Sequence, residues 1–240
     1  MSIKLKPIDQ QVIFIAGATS GIGEATVRMA LSTGAKVYMV SEDEEQLQKI
    51  QDEMQLKNLP TAYAVADLTE FDQLQVAADR CLATFGTIDT WINSPGVSLY
   101  SRLLETDETE AKRLFDSNFW AVVNGSKVAA TILRVSGGTI INIGSVLAKA
   151  NRPIQGIYLA SKHAVKGYTD SLKQELAAAK APISVSLISA ESLDSAEVIA
   201  KMILKRSATP IVNETAARTW DKSRSYFKNL KFLNRKKIYQ

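Results

Sequence analysis

Two residue types are nearly missing. The 240-residue chain has one cysteine, Cys81, and one histidine, His163. A lone cysteine excludes an intramolecular disulfide and a cysteine-cluster metal site. A lone histidine argues against a histidine-rich one, so no metal is expected. No uncharged apolar stretch approaches the roughly 20 residues of a membrane-spanning helix. The opening Met1-Ser2-Ile3-Lys4-Leu5-Lys6-Pro7 has no apolar run of signal-peptide length. A soluble, cytoplasmic protein is expected. Compositional extremes are absent too: 46% hydrophobic and 22% charged residues exclude a disordered or fibrous chain. The length suits one domain, or two small ones, with a sizeable core.

The formal charge of +4 is unevenly spread. From Arg218 to the end, Lys222, Arg224, Lys228, Lys231, Arg235, Lys236 and Lys237 add to the basic count and only Asp221 opposes it, a net +7. The preceding 217 residues therefore sum to −3. Whole-chain basicity is no argument for nucleic-acid binding by the body, and none is expected.

Short β-branched apolar runs alternate with longer helical stretches. Strands are predicted at Val12–Ala16, Lys36–Val40, Ala62–Ala66, Ile88–Asn93, Thr139–Ile143 and Ile183–Ile188, with a short last one at Pro210–Val212. Helices are predicted at Ile22–Leu31, Glu44–Met54, Phe71–Phe85, Glu108–Leu133, Tyr158–Ala178 and Ala196–Lys205. Near-continuous apolar strands separated by helices imply a parallel sheet covered on both faces. Right-handed crossovers then make an α/β, doubly wound Rossmann-type fold in a single domain, residues 1–217, followed by a basic tail, 218–240.

The first strand runs into Gly17-Ala18-Thr19-Ser20-Gly21-Ile22-Gly23, where a helix begins. Glycines there let the backbone turn tightly and approach a pyrophosphate, and the helix N-terminus adds free N–H groups and a favourable dipole. The alternative is a purely structural turn, since the spacing is G-x-x-x-G-x-G rather than G-x-G-x-x-G. The second strand ends at Ser41-Glu42-Asp43. An acid here binds adenosine ribose hydroxyls and repels a 2′-phosphate. Asp43, Glu44 and Glu45 read better as the acidic start of a helix; Glu42 fits both roles. Tyr158 and Lys162 stand at i and i+4 and share a helix face. An ammonium one turn from a phenol stabilises the phenolate and moves it toward acid–base use near neutral pH. Ser145 follows a strand end, where open α/β sheets bind ligands.

Taken in order, Ala-Gly-x-x-x-Gly-Ile-Gly at 16–23, Asp67-Leu68, Asn93-Ser94-Pro95-Gly96, Asn118, Ser145 and Tyr158-x-x-x-Lys162 resemble the short-chain dehydrogenase/reductase family over about residues 10–195. The resemblance implies NAD(P)-dependent interconversion of a carbonyl and a secondary alcohol by hydride transfer. Tyr158 would be the general acid/base. Lys162 would lower its pKa and hold the nicotinamide ribose, and Ser145 would orient the substrate oxygen. Asn118 would hold a water linking the lysine to solvent. Asp67 and Leu68 would contact the adenine, and Asn93 and Gly96 would lie beside the nicotinamide ribose. The family's NADP enzymes often carry a basic residue at the positions of Ser20 or Glu42, so NAD(H) is favoured over NADP(H), although the usual NAD-selecting aspartate is Ser41 here. A small-molecule substrate and a homodimer or homotetramer built on the helices around 108–133 and 158–178 are likewise implied.

The chain departs from the family pattern in three places. Pro95 enters the Asn-Asn-Ala-Gly segment and removes a backbone donor. Ala190-Glu191 replaces Pro-Gly, leaving Leu193 at the carboxamide position and Ser195 where a threonine is usual. Glu191 faces either the nicotinamide or solvent, and solvent is favoured. After Ser195 the next helix begins at once, so the usual substrate lid is missing. That loss motivates a rival reading, a weakly catalytic or non-catalytic dinucleotide-binding scaffold or sensor.

The remaining notable residues read as structure. His163, Cys81, Trp91 and Met29, Met39, Met54 and Met202 fit structural or core positions. Trp120 either packs or lines the site. Ser98, Leu99, Tyr100, Leu147, Pro153 and Gln155 flank the site as substrate contacts or plain loop residues. In the tail, Trp220, Phe227, Leu230 and Leu233 approximate helical spacing between basic residues. They dock onto the body or a second subunit, or lie on an acidic membrane surface; docking is favoured.

Overall fold

The structure, a computed structural model, describes residues 3–145, 153–190 and 195–209. Every residue of β1 (Val12–Ala16) is buried, as a strand covered on both faces requires. Successive side chains of a strand point to opposite faces, and β1 divides accordingly. Val12, Phe14 and Ala16 join one apolar cluster, and Ile13 and Ile15 the other. Phe14 also stacks on Trp91, with ring centroids 3.8 Å apart, and on Tyr38 at 5.7 Å.

The chain continues through α1 (Gly21–Ser32), β2 (Lys36–Ser41), α2 (Glu44–Leu56), β3 (Thr61–Val65), α3 (Phe71–Phe85) and β4 (Thr90–Asn93). The second half runs α4 (Glu108–Phe115), a single π-helical turn (Asp116–Trp120), α5 (Ala121–Ser136), β5 (Gly138–Ser145), α6 (Gly156–Ala178), β6 (Ile183–Ala190) and α7 (Ala196–Ala208). The six strands are all parallel, in the order β3-β2-β1-β4-β5-β6. The expected doubly wound Rossmann-type sheet is present. Helices α3, α5 and α6 close the Phe14 face, and α1, α2 and α7 close the Ile13 face. Strand order reverses between β1 and β4, which opens a crevice at their carboxyl ends, the usual place for a ligand in such sheets.

The sequence reading needs three corrections. The helix predicted as continuous over 108–133 is interrupted at 116–120, where the Ala121 N–H bonds the Asp116 carbonyl, an i→i+5 contact. Strand β4 begins at Thr90, not Ile88. Met202 is 41% exposed on α7 rather than buried. Trp120 is 48% exposed, edge-on to Phe119. The strand predicted at Pro210–Val212 and the tail lie outside the described residues.

Candidate functional site

The site begins where β1 ends. Gly17 has φ +89°, and a Cβ there would press into the Ser94 carbonyl of the neighbouring loop. A Cβ on Gly23 would collide with the Gly17 carbonyl, so the turn closes only without side chains at both places. Ser20 caps α1: its hydroxyl accepts from the Gly23 N–H at 3.0 Å and donates to the Gly17 carbonyl at 2.8 Å. Its side chain therefore shapes the turn. The N–H groups of Gly21 and Ile22, in the first turn of α1, have no intrahelical acceptor. Gly21 is exposed, with nothing within 4 Å of where its Cβ would stand. An anion thus meets donors, a helix dipole and open space.

The ends of β2 and β3 lie alongside. Ser41 is buried, and its hydroxyl shares a 2.6 Å hydrogen bond with that of Thr19. Glu42 stands next to Asp67 and Leu68. Partial burial raises the Glu42 carboxyl above its ordinary value, the Asp67 charge and a hydrogen bond with Asp67 add to this, and a hydrogen bond from the Leu68 N–H opposes it. Asp67 also accepts from the Thr69 N–H and hydroxyl. Asp43 caps α2 by accepting from the Gln46 N–H, as its helix-start reading requires. The nearest basic side chain on α1, Arg28, is paired to Glu24 and Glu53.

On the other side of the crevice, Asn118 is fully buried in the π turn. Its Oδ1 accepts from the Val97 N–H at 2.8 Å, and its Nδ2 donates to the Val97 carbonyl at 3.0 Å and to Ser161 Oγ at 3.1 Å. Ser161 in turn donates to the Tyr158 carbonyl at 2.7 Å. Asn118 therefore ties the loop after β4 to α6. Ser161 carries this link and was not anticipated; its one signal was its place beside Lys162 on the inner face of the helix.

Ser145 stands close enough to the Tyr158 hydroxyl to influence its ionisation. Burial raises the Tyr158 pKa, Ser145 opposes that by favouring the phenolate, and nearby Tyr100 adds to the rise. Lys162 Nζ lies 6.0 Å from the Tyr158 ring centroid. Lys162 is 4% exposed, and its ammonium makes one long hydrogen bond, 3.4 Å, to the Pro95 carbonyl. Burial pushes its pKa down to about 8. An ammonium carries three donors, so this buried group is under-partnered. Gly96 is exposed directly beside it: a Cβ there would lie 3.3 Å from Nζ and 3.6 Å from Asn118 Oδ1. An open phosphate cradle at one end and an under-partnered buried cation at the other are features that a nicotinamide dinucleotide fits.

The Asn93 side chain serves the fold. Its side chain is fully buried, accepting from Trp91 Nε1 at 2.8 Å and donating to Asn142 Oδ1 at 2.8 Å and Ser126 Oγ at 3.2 Å. Only its backbone remains for a ligand. Gln155 is buried and Pro153 is exposed, while Tyr100 is exposed near Tyr158. Leu147, Glu191 and Leu193 lie outside the described residues. Five residues, 191–195, separate β6 from α7, and Ser195 caps α7 by accepting from the Val198 N–H.

Comparison with known proteins decides the family. The short chain dehydrogenase model matches residues 11–206. The chain belongs to the short-chain dehydrogenase family. It is 37% identical over 194 residues to the uncharacterized oxidoreductase YxnA of Bacillus subtilis strain 168, covering 80% of this chain and 54% of that one. It is 30% identical over 183 residues to the uncharacterized oxidoreductase SSP1627 of Staphylococcus saprophyticus, covering 76% and 74%. The chain thus spans about half the length of the Bacillus relative. Among solved structures, a metagenomic short-chain oxidoreductase in complex with NADP superimposes with TM-score 0.76 at 27% identity, over 83% of this chain and 90% of that one. A short-chain dehydrogenase/reductase from Burkholderia phymatum in complex with NAD gives 0.76 at 26%, over 92% and 80%. Among the described residues no helix is long and apolar enough to cross a membrane.

Proposed function

We propose that this oxidoreductase interconverts a small-molecule carbonyl and a secondary alcohol with a nicotinamide dinucleotide. The observation that carries the reading is the buried, under-partnered Lys162 ammonium 6.0 Å from the Tyr158 ring, with Ser145 beside the phenol. When bound, the nicotinamide ring supplies or accepts the hydride. In the reducing direction Tyr158 gives its phenolic proton to the substrate oxygen, and in the oxidising direction it takes one back. Ser145 stabilises the phenolate and orients the substrate oxygen beside it. Lys162 and the Asn93–Gly96 backbone hold the nicotinamide ribose, which gives the ammonium the oxygen partners it lacks. Asn118 holds the Val97 backbone against α6 and, with a water, links Lys162 to solvent.

At the other end, Gly17, Thr19, Ser20, Gly21, Ile22 and Gly23 surround the pyrophosphate, and Ser41, Glu42, Asp67 and Leu68 the adenosine. Glu42 and Asp67 together disfavour a 2′-phosphate, which supports NAD(H) over NADP(H). Leu193 at the carboxamide remains part of the proposal, as does a catalytic domain of residues 1–217 with an uncovered substrate side. A homodimer or homotetramer is also proposed, with α5 and α6 as its contact. The two helices leave between them a groove of about 840 Å³ lined by Ala130, Thr131, Tyr168 and Leu172.

The test is a carbonyl and alcohol panel run with both dinucleotides, alongside Tyr158→Phe. Turnover should fall by at least 10³-fold in the variant while NADH binding, read by fluorescence titration, stays within a few-fold. Equal turnover in the variant would sink the assignment. Tight NADH binding with no turnover on any panel member would favour the scaffold or sensor reading.

A further inference from the structure

Two segments meet beside Tyr158 and show apolar side chains to solvent. Val97, Tyr100, Leu103, Leu104 and Ile154 are each at least 50% exposed. They are neighbours by construction. The Ser101 N–H bonds the Ile154 carbonyl at 2.8 Å. Leu103 packs on the bare face of Gly156, where a Cβ would collide with it. Asn118 holds Val97 from both its N–H and its carbonyl. Tyr100 is close enough to Tyr158 to raise its pKa.

Among the described residues of the rim, 97–101 and 153–154 carry no charge, and Arg102 is paired with Glu105 at 3.2 Å. Ile154 adds an independent observation. Its φ is +59°, a left-handed backbone that a β-branched residue adopts only under strain. Glycine or asparagine would sit there at less cost and expose less hydrocarbon. A strained, solvent-facing isoleucine four residues before Tyr158 is what a binding surface, rather than a fold, requires. Contiguous exposed apolar surface on a globular protein marks a binding site.

We propose that this rim binds the hydrocarbon portion of the substrate, which is a ketone or secondary alcohol bearing a long or bulky apolar group. The proposal rests on the oxidoreductase reading above and names the substrate class of the same site.

The experiment measures kcat/KM for methyl ketones from butan-2-one to dodecan-2-one, with pyruvate as a short charged comparison. Each added methylene should raise kcat/KM about two- to four-fold until the rim is filled. Ile154→Gly should lower the dodecan-2-one to butan-2-one ratio at least five-fold while the thermal midpoint holds or rises, because the left-handed strain is relieved. Leu103→Ser should lower the same ratio. A flat series, a preference for pyruvate, or ratios unmoved in both variants would overturn the proposal. So would a change in light-scattering mass in Leu103→Ser, which would assign the rim to contact between copies. If no ketone is turned over, the oxidoreductase reading fails separately, and calorimetric titration of decan-2-one decides the rim. Heat that Ile154→Gly abolishes sustains an apolar site, and no heat in the parent protein overturns it.

Discussion

At Lys162 the proposed function and stability pull against each other. An unfolded lysine keeps its proton to about pH 10.4, whereas the buried Lys162 releases it near about 8. Between those values the unfolded chain binds more protons, so this side chain lets stability rise with pH across that window. At pH 7 it is charged in both states, and the folded protein carries the full desolvation cost, up to ~3 kcal/mol at 1.36 kcal/mol per pH unit. Lys162→Met should therefore raise the thermal midpoint at pH 7 in the absence of dinucleotide. The gain should shrink steadily toward pH 10, as followed by scanning calorimetry across the range. A gain that does not depend on pH would mean that the lysine is not the buried cation described.

At the scale of elements, the π turn is a tertiary product. The apolar periodicity of 108–133 reads as one helix because nothing local marks the extra residue. What holds it is the three hydrogen bonds of Asn118, to both polar groups of Val97 and to Ser161. Asn118→Leu removes all three bonds and sets an apolar side chain against the Val97 backbone and the Ser161 hydroxyl. It should cost roughly 2–4 kcal/mol, seen as a lower urea midpoint with little change in slope, and should reduce turnover as well. The same distinction separates what was legible in the chain from what was not. β1 and α3 were predicted with their observed limits, because a run of five apolar residues and an amphipathic repeat are local signals. The Gly17–Gly23 turn was legible for the same reason. The role of Asn93 was not. Its partner Asn142 sits directly across β4 and β5, a pairing set by strand register, and a buried asparagine in an apolar strand needs such a partner. Ser161 and the Pro95 carbonyl were missed because their part in the site depends on the loop after β4 folding back over α6.

At the scale of the whole molecule, the fold follows from alternation and handedness, and it positions every described site element at one edge of the sheet. The groove between α5 and α6 lies on the flank instead. If that groove is a subunit contact, Thr131→Arg, an exposed position lining it, should shift the light-scattering mass from dimer to monomer while leaving the unfolding midpoint of the monomer little changed. An unchanged mass would remove α5 and α6 from the assembly. The stack of Trp91 on Phe14 has a consequence of another kind. Trp91 has no solvent contact, and its indole N–H is bound to Asn93. Trp120 stands half in water, two residues past Asn118. The two indoles occupy opposite optical environments, one dry and shielded from ionic quenchers, the other wet and quenchable. With the third tryptophan removed as Trp220→Phe, blue-edge emission reports the integrity of the central strands, and the quenchable red-edge component reports the turn that carries Asn118. That variant carries a two-channel fluorescent readout without any label.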